Sequence, residues 1–192
     1  MTISPARAQA AATARRWLSN HPLFLDTETT GFADTDQICE IAVLDAEGAP
    51  LLDTLVRPLI PIPHRATLVH GLADHDVAFA RPFDAIWPEL DALLRGRHVV
   101  IYNAPYDLRL VVQSLLPYNI VPKAGALASC AMTLFAKWNG EWNPDRGGWK
   151  WYSLDAAAAI AGLPRDAQRH RARADAELCR QILLHIAQGA DQ

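Results

Sequence analysis

Apolar residues recur along this chain in two rhythms. Around Leu23-Phe24-Leu25, Ile38–Leu44, Leu51–Val56 and Val99-Val100-Ile101 they come as short runs, which suit buried strands. Elsewhere they fall three and four residues apart, the stripe of an amphipathic helix. Between Pro82 and Arg95 that stripe is Phe83, Ile86, Trp87, Leu90, Leu93 and Leu94, and Gly96 follows where a C-cap belongs. The segment 126–139 reads as a short strand running into a helix. Ser153 and Gly162 bracket an Ala-rich helix, with Pro164 just beyond. A last helix is predicted from His170 to about Gln188, and residues 1–20, Ala-rich with Trp17 and Leu18, predict a helix before the first strand. The turn Ala46-Glu47-Gly48-Ala49 joins two strands into an antiparallel meander, and strand, helix, strand then follow in sequence. This order predicts an α/β layered fold. The Pro-punctuated stretch Arg57–Arg65 is excluded from any central strand.

Carboxylates break the apolar pattern in four places. In Leu23-Phe24-Leu25-Asp26-Thr27-Glu28 the two acids alternate, so both project from one strand face. Two anions held side by side repel, and a divalent cation is the usual compensation, because hard cations take carboxylate oxygens. A solvated edge strand, with Leu23 and Leu25 turned inward, gives the same alternation, so periodicity leaves both readings open. Asp107 precedes Leu110, Val111, Ser114 and Leu115 by three, four, seven and eight residues, and thus heads the apolar stripe of its own helix. Asp175 does the same for Leu178, Cys179, Ile182 and Ile186. Glu40 also interrupts a strand, and is read as solvent-facing on a half-covered sheet.

Three stretches together resemble the DEDDh family of 3′→5′ exonucleases, which includes polymerase proofreading subunits and ribonuclease T. They are Asp26-Thr27-Glu28-Thr29-Thr30-Gly31, Asn103-Ala104-Pro105-Tyr106-Asp107, and His170 followed five residues later by Asp175. The resemblance spans residues 23 to about 188. It implies a ribonuclease-H-like exonuclease fold, a five-stranded mixed sheet with helices on both sides, as one domain over residues 1–192. It implies that Asp26, Glu28, Asp107 and Asp175 hold two divalent ions, Mg²⁺ or Mn²⁺. His170 would be the general base, since imidazole changes charge near neutral pH. Five residues are about 500° of helix, so His170 and Asp175 cannot share a face of one regular helix, and His170 belongs in the loop or first turn. Thr29, His70, Leu72 and Asn103 are the substrate contacts by the same resemblance, Leu72 against the terminal base. Tyr102 departs from it, standing where many members have His.

The expected partner is a single-stranded nucleic-acid 3′ end, with DNA placed ahead of RNA, although the metal chemistry never touches the 2′ position and so does not itself choose between them. A trimming exoribonuclease and an inactive binding module are the other function classes, and the family includes polymerase-associated members. Lys137–Tyr152 is expected to be an irregular loop. Its Trp138, Trp142, Trp149 and Trp151 suit base stacking, satellite packing or a homodimer interface. Lys137, Arg146, Lys150, Arg165, Arg169, Arg171 and Arg173 are expected to form a local positive patch. That patch would be needed, because the net charge of −3 argues against a general polyanion binder. No apolar run suits a membrane span. Cys39, Cys130 and Cys179 are scattered, odd in number and set among apolar neighbours, which predicts free thiols and a cytoplasmic location.

Overall fold

The computed structural model describes residues 4–122, 126–164 and 170–189. Helix α1 (Pro5–Leu18) starts at Ser4, whose hydroxyl accepts from the Arg7 N–H at 3.2 Å. Strands β1 (Leu23–Thr29), β2 (Ile38–Leu44) and β3 (Pro50–Leu55) make the predicted antiparallel meander. Helices α2 (His64–His70), α3 (Asp74–Val77) and α4 (Phe83–Leu94) follow, then β4 (His98–Ile101), α5 (Ala104–Leu115), β5 (Leu127–Cys130) and α6 (Ala131–Asn139). The small strands β6 (Trp142–Asn143) and β7 (Gly148–Trp149) precede α7 (Leu154–Ile160) and α8 (Ala172–Gln188).

The main sheet has the order β3-β2-β1-β4-β5, with β4 parallel to both β1 and β5. It is therefore the expected five-stranded mixed sheet. Strand alternation divides its side chains between two cores. Leu23, Leu25, Ile41, Val43, Val99 and Ile101 pack under α4 and α5, whereas Phe24, Leu44 and Val100 pack under α1, α6, α7 and α8. Within β1, Phe24, Asp26 and Glu28 stand opposite Leu44, Ala42 and Glu40 of β2, all on the α8 side. The sheet is thus covered on both faces, and no strand face is left for a solvated Asp26–Glu28 pair.

Residues 137–152 differ from expectation. The segment is no irregular loop: β6 and β7 pair as an antiparallel hairpin, with Trp142 directly opposite Trp149 and their rings edge to face at 5.5 Å. Cross-strand aromatic pairs stabilise such short ladders. Trp138 sits upstream, buried in the α6–α8 core. The predicted positive patch is also mostly committed to protein partners. Lys137 reaches Gln9, Lys150 pairs with Glu141, the Arg146 guanidinium lies over the Trp151 ring, and Arg171 and Arg173 pair with Glu40 and Asp53. Arg165 and Arg169 lie outside the described residues. No helix among the described residues is long and apolar enough to cross a membrane.

Candidate active site

The sheet ends that meet at β1 gather the acids. Oxygens of Asp26, Glu28 and Asp175 lie within 4.8 Å of one another. Asp26 and Glu28 arrive by strand alternation, and Asp175 comes from the first turn of α8, which crosses β1 and β2. Asp107 approaches from the other layer. It heads α5, is almost wholly buried, and accepts a 2.7 Å hydrogen bond from the Thr27 hydroxyl on the opposite face of β1. Among the neighbouring charges, Asp107 weighs most on Asp26. Three of the four predicted acids thus bring their oxygens within 4.8 Å of one another, and the charge of the fourth, Asp107, acts on Asp26.

Crowding raises their proton affinity. Burial, followed by the charges of Asp175, Glu40 and Asp107, pushes Glu28 up to about 8, with Arg171 opposing. Burial and then the Asp107, Asp175 and Glu28 charges hold Asp26 well above the usual carboxylate range. Burial raises Asp107 and Asp175 as well. The Thr27 hydroxyl works against the rise at Asp107, and the His170 N–H against that at Asp175. A partly buried anionic cluster of oxygen donors is the setting a divalent cation relieves, so this donor set fits Mg²⁺ or Mn²⁺.

The shift has a sign that can be checked. The folded, metal-free protein keeps a proton on Glu28 that the unfolded chain releases near its ordinary pKa of 4.5. Stability in EDTA therefore falls as pH rises from 4.5 to about 8. We expect the melting temperature to drop by roughly 5–10 °C across that window. Excess Mg²⁺ or Mn²⁺ should restore the loss at the alkaline end. A melting temperature that climbs steadily with pH in EDTA would contradict this electrostatic account.

His170 stands where its spacing required, before α8 begins. Its backbone is left-handed (φ 61°), its N–H points to Asp175 Oδ1 at 3.3 Å, and its Nδ1 lies 3.9 Å from Asp175 Oδ2. The imidazole remains 38% exposed, open to an incoming ligand.

A cleft of about 230 Å³ opens beside Glu28, lined by Thr29, Gly31, Phe32, Val69, His70 and Tyr106 among others. Thr29 lines it, its hydroxyl bonded to the Gly31 carbonyl at 3.0 Å and to the Tyr106 hydroxyl at 2.7 Å. His70, also in the lining, ends α2, is buried, donates from Nε2 to the Thr29 carbonyl at 3.2 Å, and accepts the Leu72 N–H on Nδ1. Leu72 itself packs with Cys39, Ile62, Ala66 and Val77 and does not line the cleft; half-exposed Val69 does. The reason is helical: α2 turns Val69 outward, whereas Gly71 at its end sends the chain inward. Asn103 caps α5 in the left-handed conformation (φ 66°), away from the cleft lining.

Gly31 closes the first motif for a steric reason. A Cβ there would lie 2.6 Å from Asp36 Oδ2, and buried Asp36 is already fixed by the Thr30 hydroxyl and the Ala33 N–H. Tyr102 turns away from the acids, donating to the Tyr152 carbonyl at 3.0 Å. Two features escaped the sequence. Tyr106 and Phe32 form one wall of the cleft, their rings 5.7 Å apart, and only the position of Tyr106 inside the second motif hinted at it. Glu40 is not solvent-facing. It is buried opposite Glu28 and paired with Arg171, because α8 covers the β2 face that a half-covered sheet would have exposed.

Comparison with known proteins agrees with this geometry. Residues 23–183 match the family model RNase_T, described as Exonuclease. An uncharacterized exonuclease, CP81, of Escherichia phage 186 is 37% identical over 193 residues, spanning 97% of this chain and 98% of that protein. DNA polymerase III subunit epsilon of Pasteurella multocida is 25% identical over 178 residues, or 87% of this chain and 68% of the subunit. Among solved structures, exonuclease X in complex with 5′ overhanging duplex DNA superposes with a TM-score of 0.64 at 25% identity, covering 88% of this chain and 92% of that one. The sheet and its flanking helices are thus those of a ribonuclease-H-like exonuclease. With the family model covering most of its length, the chain belongs to the RNase_T exonuclease family.

Proposed function

We propose that the protein is a metal-dependent 3′→5′ exonuclease that removes 5′-mononucleotides from single-stranded DNA ends. The observation that carries this reading is the Asp26–Glu28–Asp175 cluster, with oxygens within 4.8 Å, beside an open cleft and an exposed His170. Asp26, Glu28 and Asp175 would hold one divalent cation, and Asp107 with Asp26 a second. Cations bound there supply positive charge to the attacking and leaving oxygens of an in-line displacement. His170 takes the proton of the attacking water, which adds to phosphorus while the bond to the 3′ oxygen breaks. The cleft wall formed by Thr29, Phe32, Val69 and Tyr106 receives the terminal nucleotide, and Phe32, mostly exposed, offers a face for base stacking.

DNA is favoured by one relative: exonuclease X, 25% identical and covering 88% of this chain, was solved with duplex DNA bearing a 5′ overhang, and that partner is carried over here. Association with a polymerase is the further partner that similarity to the epsilon subunit supports. The test is digestion of matched 5′-labelled DNA and RNA oligonucleotides with Mn²⁺. A one-nucleotide ladder shortening from the 3′ end, faster on DNA, is expected. Equal or faster RNA digestion would transfer the assignment to an exoribonuclease, and cleavage from the 5′ end would overturn the polarity.

A further inference from the structure

Glu40 and Arg171 take no part in the chemistry above, yet the structure invests heavily in them. Glu40 lies on β2, directly across from Glu28 and on the same sheet face as the acid cluster. Its side chain is 4% exposed. A buried carboxylate so close to other anions is costly unless paired with good geometry. The pairing is complete: Arg171 Nε reaches both carboxylate oxygens at 3.1 and 3.0 Å, Arg171 Nη2 bonds Oε1, and the Ala172 N–H donates to Oε2 at 3.0 Å. This is the two-pronged guanidinium–carboxylate fork, with a backbone donor added.

The fork grips the residue adjoining His170. His170 occupies a left-handed backbone conformation that a residue with a side chain adopts only when its surroundings enforce it. Two sets of contacts do so. On one side Asp175 Oδ1 takes the His170 N–H at 3.3 Å; on the other, Glu40 fixes Arg171 and the first residue of α8. Arg173, two residues on, pairs with Asp53 of β3 at 3.5 Å and holds the same end of the helix to the sheet.

We propose that Arg171, clamped by Glu40, is a positioning residue that sets the His170 imidazole over the acid cluster. The inference rests on the reading of His170 as general base. It assigns Arg171 no contact with substrate. Loss of the clamp lets the left-handed turn relax and moves the imidazole, and a displacement of about 1 Å at a reacting group can cost roughly 10²-fold in rate.

The test is a double-mutant cycle on the full chain, measuring kcat and KM on a single-stranded oligonucleotide with saturating Mn²⁺, plus melting temperature. Arg171→Ala and Glu40→Gln should each lower kcat by about 10–10²-fold while KM changes little. Arg171→Lys, which keeps the charge but not the fork, should fall between them and the wild type; it also serves if Arg171→Ala does not accumulate folded. In a His170→Ala background, Arg171→Ala or Arg171→Lys should have no further effect on kcat, because the clamp acts through the imidazole. Near wild-type kcat with a lowered melting temperature in the Arg171 variants would overturn the proposal, leaving a purely structural ion pair. Additive losses in the His170→Ala background would overturn it too, while the base assignment stands. Wild-type kcat in His170→Ala itself would remove both.

Discussion

The Asp26→Asn variant is expected to lose oligonucleotide hydrolysis by at least roughly 10³-fold, the scale of several kcal/mol of lost cation-derived stabilisation. Asp26 is the most informative acid because it stands between the others: Asp107 weighs on it from the α5 layer, and Asp175 and Glu28 from the α8 side. Removing its charge takes a ligand from both proposed cation positions. Asp175→Asn is a less clean probe, since Asp175 also accepts the His170 N–H. The loss should be accompanied by weaker Mn²⁺ binding, read by titration without substrate. Stability should move the other way. Glu28, Asp107 and Asp175 repel Asp26 in the metal-free protein, so Asp26→Asn should melt higher than the wild type in EDTA. That opposition separates a lost ligand from a damaged fold, which would lower both. Chelation should abolish wild-type activity, and full turnover in excess EDTA would sink the cation reading.

The His170→Ala variant should turn over about 10²–10⁴-fold more slowly, the range a positioned general base contributes. His170 is not among the three acids whose oxygens cluster, and its imidazole is 38% exposed. Mn²⁺ affinity and oligonucleotide affinity should therefore stay near wild type. A base lost from an open site leaves room for a small substitute, so added imidazole should recover part of the rate. Unchanged turnover at neutral pH would place the base elsewhere. A collapse of Mn²⁺ affinity would instead make His170 a ligand.

Much of this site is legible in the amino-acid sequence. Local rules carried the elements, because each depends on neighbours within a turn or a hairpin. Alternation put Asp26 and Glu28 on one face, helical spacing put Asp107 and Asp175 at the heads of apolar stripes, and a five-residue gap kept His170 out of the helix. The Ser153 cap and the meander turn were legible for the same reason. A carboxylate in an apolar stripe is a local contradiction, and such contradictions mark sites.

The misreadings share a different cause. Glu40 looked solvent-facing because a strand's alternation shows which side chains share a face, not what covers that face. Its partner Arg171 lies 131 residues away, and only the packing of α8 across β1 and β2 brings them together. Leu72 looked like a cleft residue because the turns of α2 and the left-handed Gly71 are set by packing against the meander. The hairpin at Trp142 and Trp149 lacked the alternating strand pattern, being only two residues on each side. Spacing along the chain thus determined which residues carry charge into the core. Contacts between distant segments, whose geometry depends on every intervening layer, decided which of those charges meet one another and which are held by a counter-ion.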